Sequence, residues 1–349
     1  MCGINGIISI KNRDETQLKR MISNMNDKII HRGPDDDGLF IDVSNATPLA
    51  LGMRRLSIID LNSGKQPIFS DDNTIVIVFN GEIYNYQILR DELIDKGFKF
   101  NTNSDTEVIL KLYENFGTKA FIKLDGMFAF SIYDKRINKV FIARDYFGEK
   151  PLYYTKTSNE FVWASELKSI IKINKIKPQI DKLGLNLFFR LTYIPAPYTI
   201  YENIFKLEPN QFITYDLNTH SFSINRIETE NNTQESKKIT LNEAKSKVKD
   251  LIQESVKSRS VSDVPIGTFL SGGVDSSIVS LCLSKLSNQR INTFSIGFQK
   301  KSYDESDKAR TVSKLINSNH HEFIISEKDL ENDVHNILNN FDEPFADSS

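Results

Sequence analysis

The chain opens Met1-Cys2-Gly3-Ile4-Asn5-Gly6, with one of its two cysteines directly after the first methionine. Methionine before a small residue is normally removed, so we expect Cys2 to begin the mature chain. Its thiol would then share a residue with a free α-amino group, whose pKa lies near ~7.8 and which can act as a base. Position alone favours a plainer interpretation, in which Cys2 is a small apolar residue at the start of a strand.

The first half of the sequence indicates short strands with two helices inserted. Residues 18–29 carry apolar side chains at helical spacing, which predicts the first helix. A second helix is predicted after a Ser104-x-x-Glu107 capping box, with Gly117 at its end. Apolar runs bounded by turn residues predict hairpin strands at residues 75–79, 126–133, 140–143, 152–154 and 161–164. Because several runs are apolar at consecutive positions, we expect both faces of the sheet to be covered.

The pattern changes near residue 240. Residues 215–239 are polar and predict a linker or a surface hairpin, which would separate a first domain over 1–214 from a second over 240–349. A Thr240-x-x-Glu243 capping box opens the second domain with a helix. Apolar runs at 265–270, 291–297 and 322–325 then alternate with helical segments, as in a parallel α/β sheet. About three strands are fewer than such sheets usually have, so we expect this domain to be incomplete.

Composition and charge narrow the classes of function. Forty-four basic and forty-six acidic residues leave no excess positive charge, which argues against nucleic acid or an anionic membrane surface as a partner. The longest apolar runs, such as 74–79, are too short to cross a bilayer, and the N-terminus carries no secretion signal. Two cysteines, Cys2 and Cys282, suit a reducing cytoplasm better than a disulfide framework. The five histidines are scattered, without the spacing of a zinc site.

A glycine-rich stretch, Ser271-Gly-Gly-Val-Asp-Ser-Ser277, stands between an apolar strand and an apolar helix. Its glycines let the backbone come close to an anion, and its serines add donors at a helix N-terminus. The G-x-x-x-x-G-K-[ST] pattern is absent, so transfer of a γ-phosphoryl group is not the expected chemistry. Such a turn can also be only a connection. Cys282, in the following helix, is expected to be a small buried hydrophobe.

Seven motifs occur in order between Cys2 and Tyr154. They are Cys2-Gly3-Ile4, His31-Arg-Gly-Pro-Asp35, Arg55-Leu-Ser-Ile, Asn80-Gly-Glu-Ile-Tyr-Asn85, Ser104-Asp-Thr-Glu107, Asp125-Gly-Met-Phe-Ala-Phe130 and Arg144-Asp-x-x-Gly-x-Lys-Pro-Leu-Tyr-Tyr154. Together they closely resemble the class II glutamine amidotransferases, which are N-terminal nucleophile hydrolases with an αββα sandwich. The resemblance implies that Cys2 is the nucleophile and that glutamine is its substrate.

The same resemblance implies how glutamine is held. Asn80 and Gly81 would form the oxyanion hole, with one side-chain NH₂ and one backbone N–H. Arg55 matches the arginine that binds the α-carboxylate, a task suited to a guanidinium group. Glu82 and Asp105 match the carboxylates that face the α-ammonium. Opposite charges would then hold both ends of free glutamine, which explains selection against peptide amides.

Some of these residues have simpler explanations. Asp105 also favours the positive end of a helix that starts at Ser104, and Arg55 also fits a solvated surface pair. His31 suggests a Cys/His dyad. In the resembled family, however, its stretch borders the site and the N-terminal amine is the usual base, so we leave His31 out of the catalytic set.

The S-G-G-x-D-S form of residues 271–276 resembles the PP-loop of the ATP pyrophosphatases, which bind ATP, release pyrophosphate and leave AMP on a carboxylate. The resemblance implies that Asp275 helps to hold the pyrophosphate through Mg²⁺, and that Ser295 and Gly297 lie beside the adenosine. The other implied ATP contacts belong to the loop itself: Ser271, Gly272, Gly273, Ser276 and Ser277.

An amidotransferase followed by a PP-loop domain is similar to the glutamine-dependent asparagine synthetase family, and the likeness continues to Asp342-Glu-Pro-Phe-Ala-Asp-Ser-Ser349. The implied fold class is an α+β N-terminal αββα sandwich of the nucleophile-hydrolase type, followed by an incomplete α/β parallel-sheet PP-loop domain. The implied substrates are glutamine, aspartate and ATP. Ammonia released at Cys2 would pass through an interior tunnel to a β-aspartyl-AMP, and the resemblance leaves a homodimer open.

The family pattern breaks at the end of the sequence. Members continue past the position of Ser349 with a further acidic, glycine-rich motif and the residues that bind the acceptor. We therefore expect a C-terminally truncated chain that hydrolyses glutamine but makes little asparagine. Two other interpretations stay open: amidation of a different carboxylate, for instance on a polysaccharide sugar, and a regulatory module that binds glutamine or nucleotide without turnover.

Overall fold

The computed structural model describes residues 2–11, 13–173, 178–227 and 239–346. The chain divides into two compact units, one formed by Met1–Glu230 together with Phe341–Ser349 and the other by Asn231–Asn340. The sequence suggested a single second domain from residue 240 to the end. In the structure the last residues, Phe341–Ser349, instead belong to the first unit.

The first unit contains two six-stranded sheets. Along the chain, its strands are β1 (Gly3–Ser9), β2 (Asp36–Asp42), β3 (Leu49–Arg55), β4 (Ile68–Phe69), β5 (Ile75–Ile83), β6 (Gly126–Asp134), β7 (Lys139–Arg144), β8 (Tyr153–Lys156), β9 (Glu160–Ala164), β10 (Ile204–Lys206), β11 (Gln211–Asp216) and β12 (Ser221–Arg226). The strand orders are β10-β8-β9-β1-β3-β2 and β12-β11-β7-β6-β5-β4. The predicted hairpins are confirmed, since β5, β6 and β7 pair antiparallel in sequence order and β8 pairs antiparallel with β9.

Helices lie outside the two sheets. They are α1 (Glu15–Asp27), α2 (Tyr86–Asp95), α3 (Asp105–Phe116), α4 (Leu167–Ile173) and α5 (Lys182–Leu191). Apolar side chains of α1 and α4 pack on the first sheet in one buried cluster, for example Ile22 and Ile170 with Ile7. Helix α3 packs against β5 of the second sheet. The unit is therefore the predicted αββα sandwich. The sequence predicted α1 and α3 but missed the other three helices.

Strand β1 shows why its sequence is apolar at successive positions. Ile4 and Ile8 are fully buried in the core between the two sheets, whereas Ile7 faces the cluster formed with α1. Alternate side chains of a strand point to opposite faces, and here both faces are covered, as predicted. A polar contact also joins the sheets: Trp163 Nε1 of β9 donates a 2.6 Å hydrogen bond to Ser131 Oγ of β6.

The start of α3 differs in detail from its prediction. Ser104 caps the helix, but its hydroxyl accepts from the N–H of Thr106 rather than of Glu107. The carboxylate of Glu107 does not complete a capping box. It accepts the N–H groups of Asn101 and Thr102, at 2.9 and 2.7 Å, because the preceding loop folds back over the first turn. Glu107 thus stabilises the approach to the helix instead of its N-cap.

The stretch predicted as a linker or a surface hairpin, residues 215–239, begins with a hairpin that belongs to the first unit. Strands β11 and β12 pair along their whole length and extend the second sheet through Arg226. Ile213 and Tyr215 of β11 are fully buried, whereas the edge strand β12 is mostly exposed, and its polar sequence therefore looked like linker. The remainder of the predicted linker, residues 228–238, lies outside the described residues.

The second unit has a three-stranded parallel sheet in the order β13-β14-β15, which confirms the α/β prediction. Its elements are α6 (Leu241–Ser258), β13 (Gly267–Phe269), α7 (Val274–Leu286), β14 (Asn292–Phe298), α8 (Ser306–Ile316), β15 (Asn319–Ile325) and α9 (Glu327–Asn340). The predicted capping box of Thr240 and Glu243 is present, and Cys282 is buried as expected. Helix α7 begins at Val274, two residues before the predicted start. Within the described residues, no helix combines the length and the apolar character needed to cross a bilayer.

Candidate active site

Cys2 lies at the start of β1, beside the end of β3. The pairing of Gly3 with Arg54 brings the thiol next to the backbone of Leu56. The N–H of Leu56 donates to Cys2 Sγ at 3.3 Å, and the thiol faces the carbonyl oxygen of the same residue at 3.5 Å. Burial raises the pKa of the Cys2 thiol above its ordinary value, and the Leu56 contact only partly opposes this. The thiol therefore needs a base before it can react as a thiolate.

The thiol opens into a cavity of about 280 Å³, part of which is open to solvent. Five of the six residues that the sequence assigned to glutamine line it together: Cys2, Arg55, Gly81, Glu82 and Asp105. Four different segments of the first unit contribute them: the start of the chain, the end of β3, β5 and the start of α3. The sixth residue, Asn80, is the neighbour of Gly81 on β5.

Arg55 is a buried side chain at the end of β3. Only 5% of the residue is exposed, and its Nη2 donates to the carbonyl oxygens of Ile59 and Asp60 at 3.1 and 2.6 Å. Gly64 leaves room for this group, since a Cβ there would lie 2.6 Å from Nη2. Both hydrogen bonds use the same nitrogen, and the residue also lines the cavity. The surface-pair alternative for Arg55 is thus excluded by its burial.

Glu82 and Asp105 add two carboxyl groups to the lining of the cavity. Desolvation raises the pKa of Glu82 to about 8, and the charge of Asp105 adds to this. Desolvation likewise raises the pKa of Asp105 to about 6, although the N–H of Ile83 donates to its Oδ2 at 3.0 Å. Two buried carboxylates this close resist ionising together. A cation placed between them would relieve both costs.

Asp105 does more than favour the positive end of α3. Its residue is 4% exposed, and its bond to Ile83 joins the first turn of the helix to the end of β5. A carboxylate that only complements a helix dipole usually stands in solvent. Glu82 Oε2, in turn, is buried without a hydrogen-bond partner among the described residues. Both observations indicate a ligand with a positive charge.

The side chain of Asn80 is buried without hydrogen-bond partners among the described residues. It is fully buried on β5, and neither Oδ1 nor Nδ2 of its side chain has a hydrogen-bond partner in the described part of the chain. Leaving a buried amide unpaired costs about 1–3 kcal/mol for each group, so native proteins seldom do so without a functional reason. The next residue, Gly81, has no space for a side chain, because a Cβ would lie 2.1 Å from Met127 O.

Two residues without a predicted role, Gln66 and Arg32, also hold the site together. Gln66 lines it and fixes two walls, since Oε1 accepts from the N–H of Phe79 at 2.7 Å and Nε2 donates to Thr106 Oγ1 at 3.2 Å. Arg32, inside the His31-to-Asp35 motif, donates through Nε to the carbonyl oxygen of Cys2 at 2.9 Å. Only Arg32 belonged to a motif that the sequence singled out.

Lys150 is a further charged residue near the thiol. It is 2% exposed, and desolvation lowers the pKa of its ammonium group. The positive charge of Arg32 acts in the same direction, while the carboxyl of Glu82 and the thiol of Cys2 oppose it. The nucleophile is thus surrounded by charges of both signs in a site of low solvent exposure.

In the second unit, the glycine-rich stretch forms a turn between β13 and α7. Gly272 adopts φ +81°, and a Cβ there would lie 2.4 Å from Lys308 Cβ of α8, so only glycine fits. Gly273 caps α7 without a side chain. The hydroxyl of Ser271 contacts that of Ser276 at 3.0 Å, and Ser277 Oγ donates to Gly273 O at 2.6 Å. The turn therefore presents backbone N–H groups at a helix N-terminus, as in an anion site.

The remaining predicted residues of this unit have different surroundings. Asp275 is exposed in the first turn of α7. Ser295 is buried on β14, where its hydroxyl lies 3.2 Å from His320 Nε2. Gly297, near the end of the same strand, packs against Ile324. Among the described residues, no three His, Cys, Asp or Glu side chains are grouped so as to hold a metal ion.

Comparisons with known proteins cover both units. The glutamine amidotransferase domain model matches residues 1–225, and the asparagine synthase model matches residues 247–349. A putative asparagine synthetase [glutamine-hydrolyzing] 2 of Methanocaldococcus jannaschii is 39% identical over 370 residues, covering 100% of this chain and 70% of that protein. Asparagine synthetase [glutamine-hydrolyzing] 1 of Bacillus subtilis is 38% identical over 355 residues, covering 99% of this chain but only 54% of its own length.

A likeness to solved structures is weaker. Glutamine phosphoribosylpyrophosphate amidotransferase from B. subtilis, complexed with ADP and GMP, aligns with a TM-score of 0.47 at 16% identity, over 92% of this chain and 65% of that one.

Proposed function

Because this chain belongs to the family of glutamine-hydrolysing asparagine synthetases, we propose that it hydrolyses glutamine at Cys2 and that the ammonia amidates a carboxylate activated by ATP, with aspartate as the acceptor. The observation that carries the proposal is the single cavity lined by Cys2, Arg55, Gly81, Glu82 and Asp105. A cavity that hydrolyses a free amino-acid amide requires a nucleophile, a cationic group and an anionic group.

Glutamine is held by its two charged ends. The guanidinium of Arg55 binds the α-carboxylate, and its own position is maintained by the carbonyls of Ile59 and Asp60. The α-ammonium lies between Glu82 and Asp105, where it favours ionisation of both carboxyl groups. Since a glutamine residue within a peptide has neither charged end, this arrangement selects free glutamine.

The side-chain amide is attacked by Cys2. Removal of the preceding methionine exposes the α-amino group of Cys2, which takes the thiol proton as the sulfur bonds to the amide carbon. The carbonyl electrons move to oxygen, and Asn80 Nδ2 and the N–H of Gly81 donate hydrogen bonds to this oxyanion. The amine returns the proton to the departing nitrogen, which leaves as ammonia. Water then hydrolyses the thioester to glutamate and the free thiol.

The unpartnered amide of Asn80 supports the oxyanion role. A buried donor that finds no partner among the described residues is ready to bind charge that develops only during the reaction. The close approach of β5 to β6 at Gly81 keeps that backbone fixed. Pre-organised donors of this kind typically contribute about 10²–10³ to the rate.

The second unit binds ATP at the turn of Ser271 to Ser277. Backbone N–H groups at the start of α7 and the nearby hydroxyls suit a pyrophosphate, and Ser295 and Gly297 are proposed beside the adenosine. Mg²⁺ usually keeps several waters and takes one or two carboxylates with the phosphates, so the exposed Asp275 fits as its protein ligand. Bound Mg²⁺ would neutralise pyrophosphate as it leaves. Reaction in a reducing cytoplasm suits the free thiols of Cys2 and Cys282.

The proposal is tested by product analysis with [amide-¹⁵N]glutamine, aspartate and MgATP. We expect labelled ammonia and glutamate from the chain and no glutamate from Cys2→Ala. Equal amounts of AMP and labelled asparagine would support aspartate as acceptor; AMP that forms only with another carboxylate would replace aspartate by that compound. Glutamate without AMP would support only the hydrolytic half of the proposal.

The mature N-terminus is checked separately. Intact mass spectrometry of fully active protein should show loss of the first methionine. Full activity with the methionine retained would rule out the α-amino group of Cys2 as the base.

A further inference from the structure

A row of side chains with alternating charge connects the main chain of Cys2 to the segment Phe341–Ala346. Arg32 Nε donates to Cys2 O at 2.9 Å, and Arg32 Nη1 donates to Glu166 Oε1 at 3.0 Å. Lys168 Nζ lies 3.2 Å from Glu166 Oε2 and 3.2 Å from Asp342 Oδ1. We refer to Arg32, Glu166, Lys168 and Asp342 as the charge chain.

The charge chain is largely shielded from water. The exposed fractions of its side chains are 10% for Arg32, 13% for Glu166, 23% for Lys168 and 11% for Asp342. Ion pairs in such surroundings are screened less than surface pairs and lose more when one partner is removed. Glu166 is its centre, since His31 Nε2 also lies 3.0 Å from Oε1. Despite its burial, the pKa of Glu166 is lowered, chiefly by the hydrogen bond from Arg32.

Asp342, at the far end of the charge chain, lies in a segment that belongs to one domain by sequence and to the other by structure. In sequence, Phe341–Ala346 lies within the stretch matched by the asparagine synthase model, and it continues directly from α9. In space it is part of the compact unit that contains Cys2. The backbone N–H of Lys168 donates to Asp342 Oδ2 at 3.2 Å, and the N–H of Ala346 donates to Thr192 O at 2.9 Å.

Glu343 fixes the same segment independently. It forms an ion pair with Lys206, and the N–H of Ile200 donates to its Oε2 at 3.3 Å. Neither contact involves a member of the charge chain. Asp342, Glu343 and Ala346 therefore each attach the segment, and among these three contacts only that of Asp342 joins the charge chain.

We propose that Glu166 and Lys168 are positioning residues for glutamine hydrolysis, and that Asp342 makes their effect depend on the docking of Phe341–Ala346. Glu166 orients Arg32, and Arg32 holds the carbonyl of Cys2, so the sulfur stays aligned with the amide carbon. When the segment undocks, Lys168 loses one of its two carboxylate partners and Glu166 loses part of its restraint. The inference rests on the proposed reaction at Cys2 and adds how the asparagine synthase part of the sequence communicates with it.

The proposal predicts a specific kinetic pattern. The charge chain touches the backbone of Cys2 but neither Arg55 nor Asp105, so its loss should lower kcat and leave KM for glutamine nearly unchanged. A displacement of about 1 Å at a reacting group can cost roughly 10²-fold in rate. We expect kcat to fall about 10- to 100-fold in Glu166→Gln. The kcat of Lys168→Met should fall by a similar factor. Lys168→Arg keeps the positive charge and should retain most of the activity.

Coupling to the segment is tested with Asp342→Asn. We expect a smaller fall in kcat, about 3- to 10-fold, and no further fall when it is combined with Glu166→Gln, because members of one network are not additive. Glu160→Gln is the matched control. Glu160 is also a buried glutamate paired with an arginine, Arg13, but it lies at the other end of β9 and outside the charge chain.

The readouts are glutamate release by the full chain and the rate at which iodoacetamide alkylates Cys2 without glutamine. Slower alkylation and lower kcat in Glu166→Gln and Lys168→Met, with Glu160→Gln unchanged and thermal unfolding within a few degrees of wild type, would support the proposal. Values of kcat and alkylation rate within twofold of wild type would overturn it, as would equal losses in Glu160→Gln. A wild-type chain that alkylates normally but releases no glutamate would instead overturn the proposed function.

Discussion

Glutamine binding should displace a proton from the pair Glu82 and Asp105. Burial raises the pKa of Glu82 to about 8, with a further contribution from the charge of Asp105, and burial raises the pKa of Asp105 to about 6. At pH 7, Glu82 is therefore about nine-tenths protonated and Asp105 about one-tenth. The α-ammonium of glutamine lowers both pKa values, so each binding event should release about one proton at pH 7.

The same reasoning gives a pH dependence. At pH 6 the pair holds about one and a half protons, and at pH 8.5 about a quarter of one, so the release should shrink as pH rises. By linkage, affinity for glutamine weakens about 10- to 20-fold as the pH falls from 7 to 6, and more steeply below pH 6. Carboxylates with ordinary pKa values would already be ionised throughout this range and would give no such dependence.

Isothermal titration calorimetry of the Cys2→Ala chain measures the release directly, because this variant binds without turnover. The slope of observed enthalpy against the ionisation enthalpy of the buffer, for example phosphate against Tris, gives the number of protons. Glu82→Gln in the same background is the control and should reduce the release at pH 7 to about a tenth or less. A slope of zero at pH 7, with a dissociation constant that does not change between pH 6 and 7, would refute the placement of the ammonium between these groups.

The other expectations concern stability and catalysis. Asn80→Ala should lower kcat by about 10²–10³, because it removes a donor from the proposed oxyanion hole. Its melting temperature should be unchanged or higher, since the donor and acceptor that it removes are buried without partners among the described residues. A large loss of stability would contradict this. Gly81→Ala should lower the free energy of unfolding by about 1–3 kcal/mol or more in chemical denaturation, because the added Cβ would lie 2.1 Å from Met127 O. Gly273→Ala is the control and should have little effect on stability, since the nearest atom to its Cβ would be 3.4 Å away. Glu82 binds its proton more tightly in the folded than in the unfolded chain, so its contribution to stability should be lost as pH rises from about 4.5 to about 8. Urea titrations at several pH values measure this loss. Glu82→Gln should make the free energy of unfolding depend less on pH in this range.

The residues of the proposed glutamine site could be named from the sequence because they stand in motifs that resemble those of the class II glutamine amidotransferases. Asn80 and Gly81 also follow an apolar strand, whereas Asp105 by itself would be better explained by the helix that starts at Ser104. The pairing of Arg55 with backbone carbonyls, and of Asp105 with the N–H of Ile83, had no such signal. These contacts arise where separate segments meet, and no local periodicity records them.

The errors in the fold have the same origin. The exposed edge strand β12 is polar on most of its surface, so its sequence resembles a linker until β11 supplies its hydrogen-bond partners. Glu107 has the spacing of a capping box, but the backbone of Asn101 and Thr102 competes successfully for its carboxylate. Local propensity is a weak guide wherever a non-local partner is available.

By itself, the sequence determined the alternation of hairpins and then of strands and helices, the glycine turn before α7 and the order of the motifs that begin at Cys2. These properties depend on side-chain periodicity and on glycine, which act within a few residues. Only the tertiary structure decided that Phe341–Ala346 packs with the first unit, and that Asp342 reaches Cys2 through Lys168, Glu166 and Arg32. Residues separated by more than a hundred positions come together there because burial and charge pairing act through space, whatever their distance along the chain.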